Sequence, residues 1–155
     1  MLFLPNVGLL NREKNYLLDN RVVIESTIEE INSNVDQINV FVADEYSYMV
    51  KRIYDKKYNE NLFFKLKISN YKDYANIEIY VNKDFLDRKN VINGKSKTIN
   101  NIDYYILESE KEDKYFDSAQ FNIGDIVVYI EYSQTKLGSE PDKFTEFLGE
   151  LFTLK

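Results

Sequence analysis

The chain has 155 residues, a formal net charge of -6 and neither Cys nor His, which excludes disulfide frameworks, Cys-liganded zinc, iron–sulfur centres, thiol nucleophiles and Ser-His-acid triads. Hydrophobic residues make up 44% and charged residues 30%, with 13 Tyr, 10 Phe, no Trp, 2 Pro and 5 Gly, so the chain reads as one globular domain over residues 1–155 without long linkers. Any chemistry must rest on carboxylates, Lys, Tyr or an oxygen-liganded metal, and no enzyme, cofactor or metal site is expected.

The first ten residues, MLFLPNVGLL, are apolar but lack a basic leader and are interrupted by Pro5. They make a poor signal peptide and are too short to span a bilayer. The expectation is a cytoplasmic protein, or an extracytoplasmic one if a leader has been removed, with Leu2, Leu4 and Val7 in an arm buried against the domain or a partner. Residues 11–35 carry Leu17, Ile24, Ile28, Ile31 and Val35 on a 3.6-residue period, predicting a long amphipathic helix that ends at Asn34.

Strands follow. Ile38, Val40 and Val42 alternate with other positions, and Asp44-Glu45 form a turn before a second strand over 46–54. After a polar hairpin connection, Leu62, Phe64, Leu66 and Ile68 point inward while Phe63, Lys65, Lys67 and Ser69 point outward. Ile77, Ile79 and Val81 make the inward set of a fourth strand. Asn93-Gly94 is the best type I′ turn signature. The stretch 99–107 is a strand with Ile102, Tyr104 and Ile106 on one face, and ESEKEDK is an acidic connection to a hairpin of 115–121 with 125–132. The tail predicts a helix capped at Ser139 whose apolar face is Phe144, Phe147, Leu148, Leu151 and Phe152.

The expected fold is therefore α+β: a mainly antiparallel sheet of six to seven strands with an N-terminal and a C-terminal helix packed on it, both sheet faces covered. Leu66, Ile79, Ile106, Val128, Ile130, Phe144 and Leu148 should be buried. In layout alone the chain resembles small sensor or lipoprotein-like domains of low-GC Gram-positive bacteria, and no residue role follows from that.

Charge is uneven, with a basic middle between acidic ends. Lys51, Arg52, Lys56, Lys57, Lys65 and Lys67, interleaved with Tyr54, Tyr58 and Phe63, form the one concentration suited to nucleic acid, but the pI of about 4.8 and the lack of any nucleic-acid-binding motif argue against that partner. Glu108, Glu110, Glu112, Asp113 and Asp117 form an acidic run that suits an inhibitor mimicking nucleic acid. The paired acids Asp44/Glu45, Asp84/Asp87 and Asp125/Glu131 match no glycosidase or calcium pattern.

Tyrosine supplies apolar area with a polar tip and is favoured at interfaces. The function expected is a non-catalytic protein–protein interaction domain, with a surface-associated structural domain or an acidic mimic as alternatives and self-association possible. Tyr105 and Tyr129, on the sheet face opposite Tyr104 and Val128, are the candidate interface pair. Glu108, Glu110, Glu112 and Asp113 are the candidate charged contacts.

Overall fold

The computed structural model describes residues 20–57, 59–70, 73–81, 94–112, 114–135 and 143–155, the side chains of Lys111, Lys143, Phe144 and Thr145 aside. In chain order they form β1 (Arg21–Ser26), α1 (Ile28–Asn34), β2 (Ile38–Val40), β3 (Ser47–Asp55), β4 (Glu60–Asn70), β5 (Asp73–Tyr80), β6 (Lys95–Ile99), β7 (Ile102–Lys111), β8 (Lys114–Ile123), β9 (Ile126–Thr135), α2 (Lys143–Leu151) and β10 (Phe152–Leu154). Eight strands make one sheet in the order β1-β3-β4-β5-β9-β8-β7-β6, and β10 pairs with β2 in a separate ribbon. Every pairing is antiparallel. Two meanders, β3-β4-β5 and β6-β7-β8-β9, thus meet along β5 and β9, as short connections between alternating strands require.

One face of this sheet, the inner face, carries Val50, Phe64, Leu66, Ile68, Ala75, Ile77, Ile79, Tyr104, Ile106, Ala119, Phe121, Val128, Ile130 and Tyr132. Against it pack Ile31 and Val35 from α1 and its end, Ile38 and Val40 from β2, and Phe147, Leu148, Leu151 and Phe152 from α2 and β10. Ring contacts tie the layers: Phe121 stacks on Tyr104 at 4.9 Å and meets Phe152 edge-on at 5.5 Å. The expected core residues Leu66, Ile79, Ile106, Val128, Ile130 and Leu148 are all buried, and the Phe144 side chain lies outside the described residues.

The α+β class, the antiparallel sheet and the two helices agree with the periodicity. Four particulars differ. Of the helix expected over 11–35, the described residues 20–35 form only α1. Residues 21–26, RVVIES, form edge strand β1, because a β-branched run prefers extended backbone, and residues 11–19 lie outside the described residues. Thr27 caps α1 instead, its hydroxyl accepting from the Glu30 backbone N–H at 3.1 Å, while the Glu30 carboxylate accepts from the Ser26 hydroxyl at 3.0 Å. Second, both described helices lie on the inner face, so two-sided coverage by helices is not what the described residues form.

Third, a type I′ turn forms at Asn100-Asn101, with φ of 52° and 64°, where a continuous strand was expected. This turn splits the expected 99–107 strand into the ends of β6 and β7. Gly94 serves a different need: a Cβ there would stand 2.1 Å from the Ile106 carbonyl oxygen, so only glycine admits the approach of the chain to β7. Asn93 lies outside the described residues. Fourth, ESEKEDK is not a loop. β7 runs on to Lys111 and β8 begins at Lys114, leaving a tight turn with Glu112 at φ 52°. The strand total rises to eight in the main sheet through β1 and β6. The 38–42 segment pairs instead with β10, which takes Phe152 off the end of the expected helix.

A register shift at Ile53/Tyr54 leaves Leu62 without a partner on β3. This bulge turns Leu62 out of the inward set and joins it to Ile53, Phe63, Tyr80 and Val127 in a second cluster on the outer face. Phe63 and Tyr80 stack there at 4.6 Å.

Candidate functional site

Residues opposite one another in antiparallel strands share a face, so the register reads out the outer face row by row. One row runs Glu25, Lys51, Lys65, Glu78, Tyr129, Gln120, Tyr105, Ser96, from β1 across to β6. The next runs Met49, Lys67, Asn76, Glu131, Ser118, Leu107. A third holds Ser47, Ser69, Tyr74, Ser133, Phe116 and Ser109. Over the β3, β4, β5 and β9 part of these rows, bordered by Val23 of β1, lies a groove of about 560 Å³ that reaches Tyr129 but not Tyr105.

Tyr105 and Tyr129 stand in one row with Gln120 between them, which puts their strands about 10 Å apart. Tyr105 is 43% exposed and Tyr129 is half-buried. Burial and the neighbouring Glu131 raise the Tyr129 phenol above its ordinary value, while a hydrogen bond with Ser118 opposes the rise. Leu107, 53% exposed, follows Tyr105 on the same face, and Phe116, 37% exposed, is the diagonal neighbour of Leu107. The sequence reading passed over both, although their period-2 position with Tyr105 and Ser118 was visible once the hairpin had been recognised.

Of the acidic candidates, Glu108 and Glu110 point to the inner side of β7, away from the tyrosines, Glu112 is in the turn, and Asp113 lies outside the described residues. The structure therefore does not join the acidic run to the tyrosine pair. It brings together another pair instead. Glu108 is directly opposite Asp117, and Asp117 is directly opposite Tyr132. Asp117 is buried at 7% exposure, and its carboxyl is pushed up to about 6, by desolvation first and by the Glu108 charge second. The Ser109 backbone N–H and Lys97 pull the other way, and Lys97 Nζ is 3.7 Å from Glu108 Oε1. Tyr132 is raised by burial and by Asp73, Tyr46 and Asp117, with its ring 5.2 Å from that of Phe147 in α2.

The basic concentration divides. Lys51, Lys65 and Lys67 face the groove. Arg52 is on the other side, where Nη1 donates to Asn61 Oδ1 at 2.8 Å, Nε lies 3.6 Å from Glu30 Oε2, and the guanidinium sits over the Tyr54 ring. Lys56 and Lys57 are in the β3–β4 hairpin. Arg52 thus anchors α1 to the sheet and is not part of a binding lane. Of the paired acids, Asp44/Glu45 occupy a turn, Asp125 and Glu131 are both exposed, and Asp84/Asp87 lie outside the described residues. Among the described residues no group of three or more Asp or Glu could hold a metal ion, and no helix is long and apolar enough to cross a membrane. No protein-family model matches the chain, and no curated protein or solved structure matches it at a significant level.

Proposed function

We propose that this chain is a non-catalytic protein-binding domain that receives its partner on the outer face of the sheet. The observation that carries the reading is segregation. Of the nine large hydrophobic side chains exposed among the described residues, six are on that face: Val23, Met49, Tyr74, Tyr105, Leu107 and Phe116. Scattered single apolar residues are ordinary on a protein surface, whereas a set gathered on one side, rimmed by charge, suits a contact surface. Both described helices are committed to the inner face, and the groove opens on the outer face beside Val23 and Met49.

The test is affinity capture with the full chain, followed by cross-linking to locate the contact. Tyr105→Ala/Tyr129→Ala is compared with Phe41→Ser, which alters a 63% exposed ring next to β2 on the other side. A partner lost from the first variant and kept by the second supports the reading. A partner kept by both, or cross-linked to α1 and α2, refutes it.

A further inference from the structure

The row Met49, Lys67, Asn76, Glu131, Ser118, Leu107 has at its two ends the most exposed apolar side chains of the outer face, at 58% and 53%. Met49 is on β3 and Leu107 on β7, each the second strand in from its end of the eight-strand order. They therefore stand equally far from the middle of the sheet, which is the seam between β5 and β9. The two halves differ in relief. The groove hollows the β3, β4 and β5 half and reaches only as far as β9, whereas the β8 and β7 half carries the exposed Tyr105, Leu107 and Phe116.

Charge on this face selects a partner of neither sign. The first two rows hold Lys51, Lys65 and Lys67 against Glu25, Glu78 and Glu131, with Lys51 directly opposite Glu25 and Lys65 directly opposite Glu78. The third row has no charged residue. These rows are thus neutral within a chain of formal net charge -6. A strongly charged partner gains nothing from such a face, whereas two copies of this chain can meet there without repulsion.

We propose that the outer face docks a second copy of this chain, face to face, about a two-fold axis that runs along the strands at the β5–β9 seam. The inference rests on the outer face being a docking surface and names its occupant. Such an axis reverses the strand order and keeps each row level, so β3 lies over the partner's β7, β4 over its β8 and β5 over its β9. Met49 then meets the partner's Leu107, and Leu107 meets the partner's Met49, which covers both exposed side chains twice. Lys51 falls over the partner's Tyr105, a cation–π approach, and Glu78 over the partner's Tyr129. Glu131 falls over the partner's Asn76, and Lys65 and Lys67 over the partner's Gln120 and the partner's Ser118, so no charge meets a like charge. The grooved half of each copy lies against the half of the other that bears Tyr105, Leu107 and Phe116. From β3 to β7 are five spacings of about 4.8 Å, and strands of 10 residues run about 33 Å, a footprint of roughly 800 Å². A stable interface of standard size takes about 800 Å² from each partner. Sheets that pack face to face in this way keep their strands nearly aligned, as the axis requires.

The test is sedimentation equilibrium of the full chain from micromolar to several hundred micromolar concentration. The expected result is a monomer–dimer equilibrium with a limiting mass of twice 18.4 kDa. Leu107→Glu and Met49→Lys, both at exposed positions, should each weaken the dimer about tenfold or more, because each altered contact occurs twice. An equal mixture of the two variants should recover a dimer within about threefold of the parent's, since one contact becomes Lys against Glu and the other is the unaltered Met49 against Leu107. Phe41→Ser, on the other side of the molecule, should change the dimer by less than about twofold. A chain that stays monomeric, a dimer that Leu107→Glu leaves intact, or a mixture no stronger than the separate variants overturns the inference. Where the chain stays monomeric, a captured protein lost from Tyr105→Ala/Tyr129→Ala leaves the docking face standing and removes only the second copy as its occupant. A captured protein kept by that variant removes the docking face as well.

Discussion

Replacing Asp117 by Asn isolates the cost of burying one carboxylate beside another. Burial and the Glu108 charge push the carboxyl up to about 6 in the folded chain from an ordinary 3.8, so the native state holds this proton more tightly than the unfolded state does. The stabilisation from that difference is fully present below about pH 4, is lost as pH rises through about 6, and stays lost above it. At roughly 1.4 kcal/mol per unit the full shift amounts to about 3 kcal/mol. Solvent reduces this: the opposing Glu108 side chain is 57% exposed and also faces Lys97. Screening of such a half-wet pair leaves about 1–2 kcal/mol. Asn has nearly the same shape, keeps an oxygen for the Ser109 backbone N–H and removes the charge. Thermal melts at pH 7.5 should therefore show Asp117→Asn above the parent by a few degrees, on the order of 2–4 °C per kcal/mol for a chain of this size. At pH 4 the two melts should nearly coincide, with the gap opening between those limits. A variant less stable than the parent at pH 7.5 would falsify the reasoning, because Lys97 and the Ser109 N–H would then hold the carboxylate more strongly than desolvation and Glu108 repel it.

Three further outcomes test the packing. Leu148→Ala, at 0% exposure between α2 and the sheet, should cost about 2–5 kcal/mol in chemical denaturation, through lost transfer energy and the cavity left behind. Gly94→Ala forces a Cβ against the Ile106 carbonyl, so β6 must move off β7. A loss on the order of 3 kcal/mol with faster amide exchange over Ser96–Thr98 is expected, and an unchanged melt refutes the close approach. Asn32→Ala removes the side-chain amide that both donates to the Val40 carbonyl at 3.0 Å and accepts from the Val40 N–H at 2.8 Å, and should cost about 1–3 kcal/mol by equilibrium unfolding.

The elements legible in the sequence are those whose side chains alternate against a single covered face. β7 and β9 show it most clearly: Ile102, Tyr104 and Ile106, then Ile126, Val128, Ile130 and Tyr132, are all buried. Where the reading failed, two physical signals competed. In RVVIES the apolar spacing fits a helix as well as a strand, and β-branching with tertiary pairing to β3 decides for the strand. Two asparagines in left-handed backbone form the β6–β7 turn, a pair that announces a turn less plainly than Asn-Gly does, and Gly94 is needed for its close approach to β7. The Glu108–Asp117 pair was illegible for a different reason. It exists only through register, and register depends on placing the tight turn between Lys111 and Lys114. Tyr105 and Tyr129 could be assigned to one face by alternation alone. Their separation by a full strand, filled by Gln120, could not.

For the partner proposed above, the mode of engagement follows from how the strand edges are closed. A partner that adds a strand needs an open, flat edge with free backbone groups. The free edge of β2 is occupied by the Asn32 amide, which takes both Val40 backbone groups, and Asn100 Nδ2 donates to the Phe152 and Gly149 carbonyls beside β10. Strand β6, which ends the main sheet, is five residues long and carries exposed Lys95 and Lys97, the short and charged form that resists edge pairing. Strand β1, at the opposite end, has Arg21 and Glu25 among its six residues. On the reading proposed above, the partner therefore covers the outer face and leaves the edge hydrogen bonds as they are. Hydrogen exchange and side-chain oxidation of the bound complex separate the two modes. Face binding should protect Met49, Tyr105 and Phe116 from hydroxyl-radical oxidation several-fold and leave amide exchange over Lys95–Ile99 unchanged. Slowed exchange confined to alternate amides of β6 or β1, with those three side chains still oxidised at the free rate, means that the partner adds a strand and that the outer face is not where it docks.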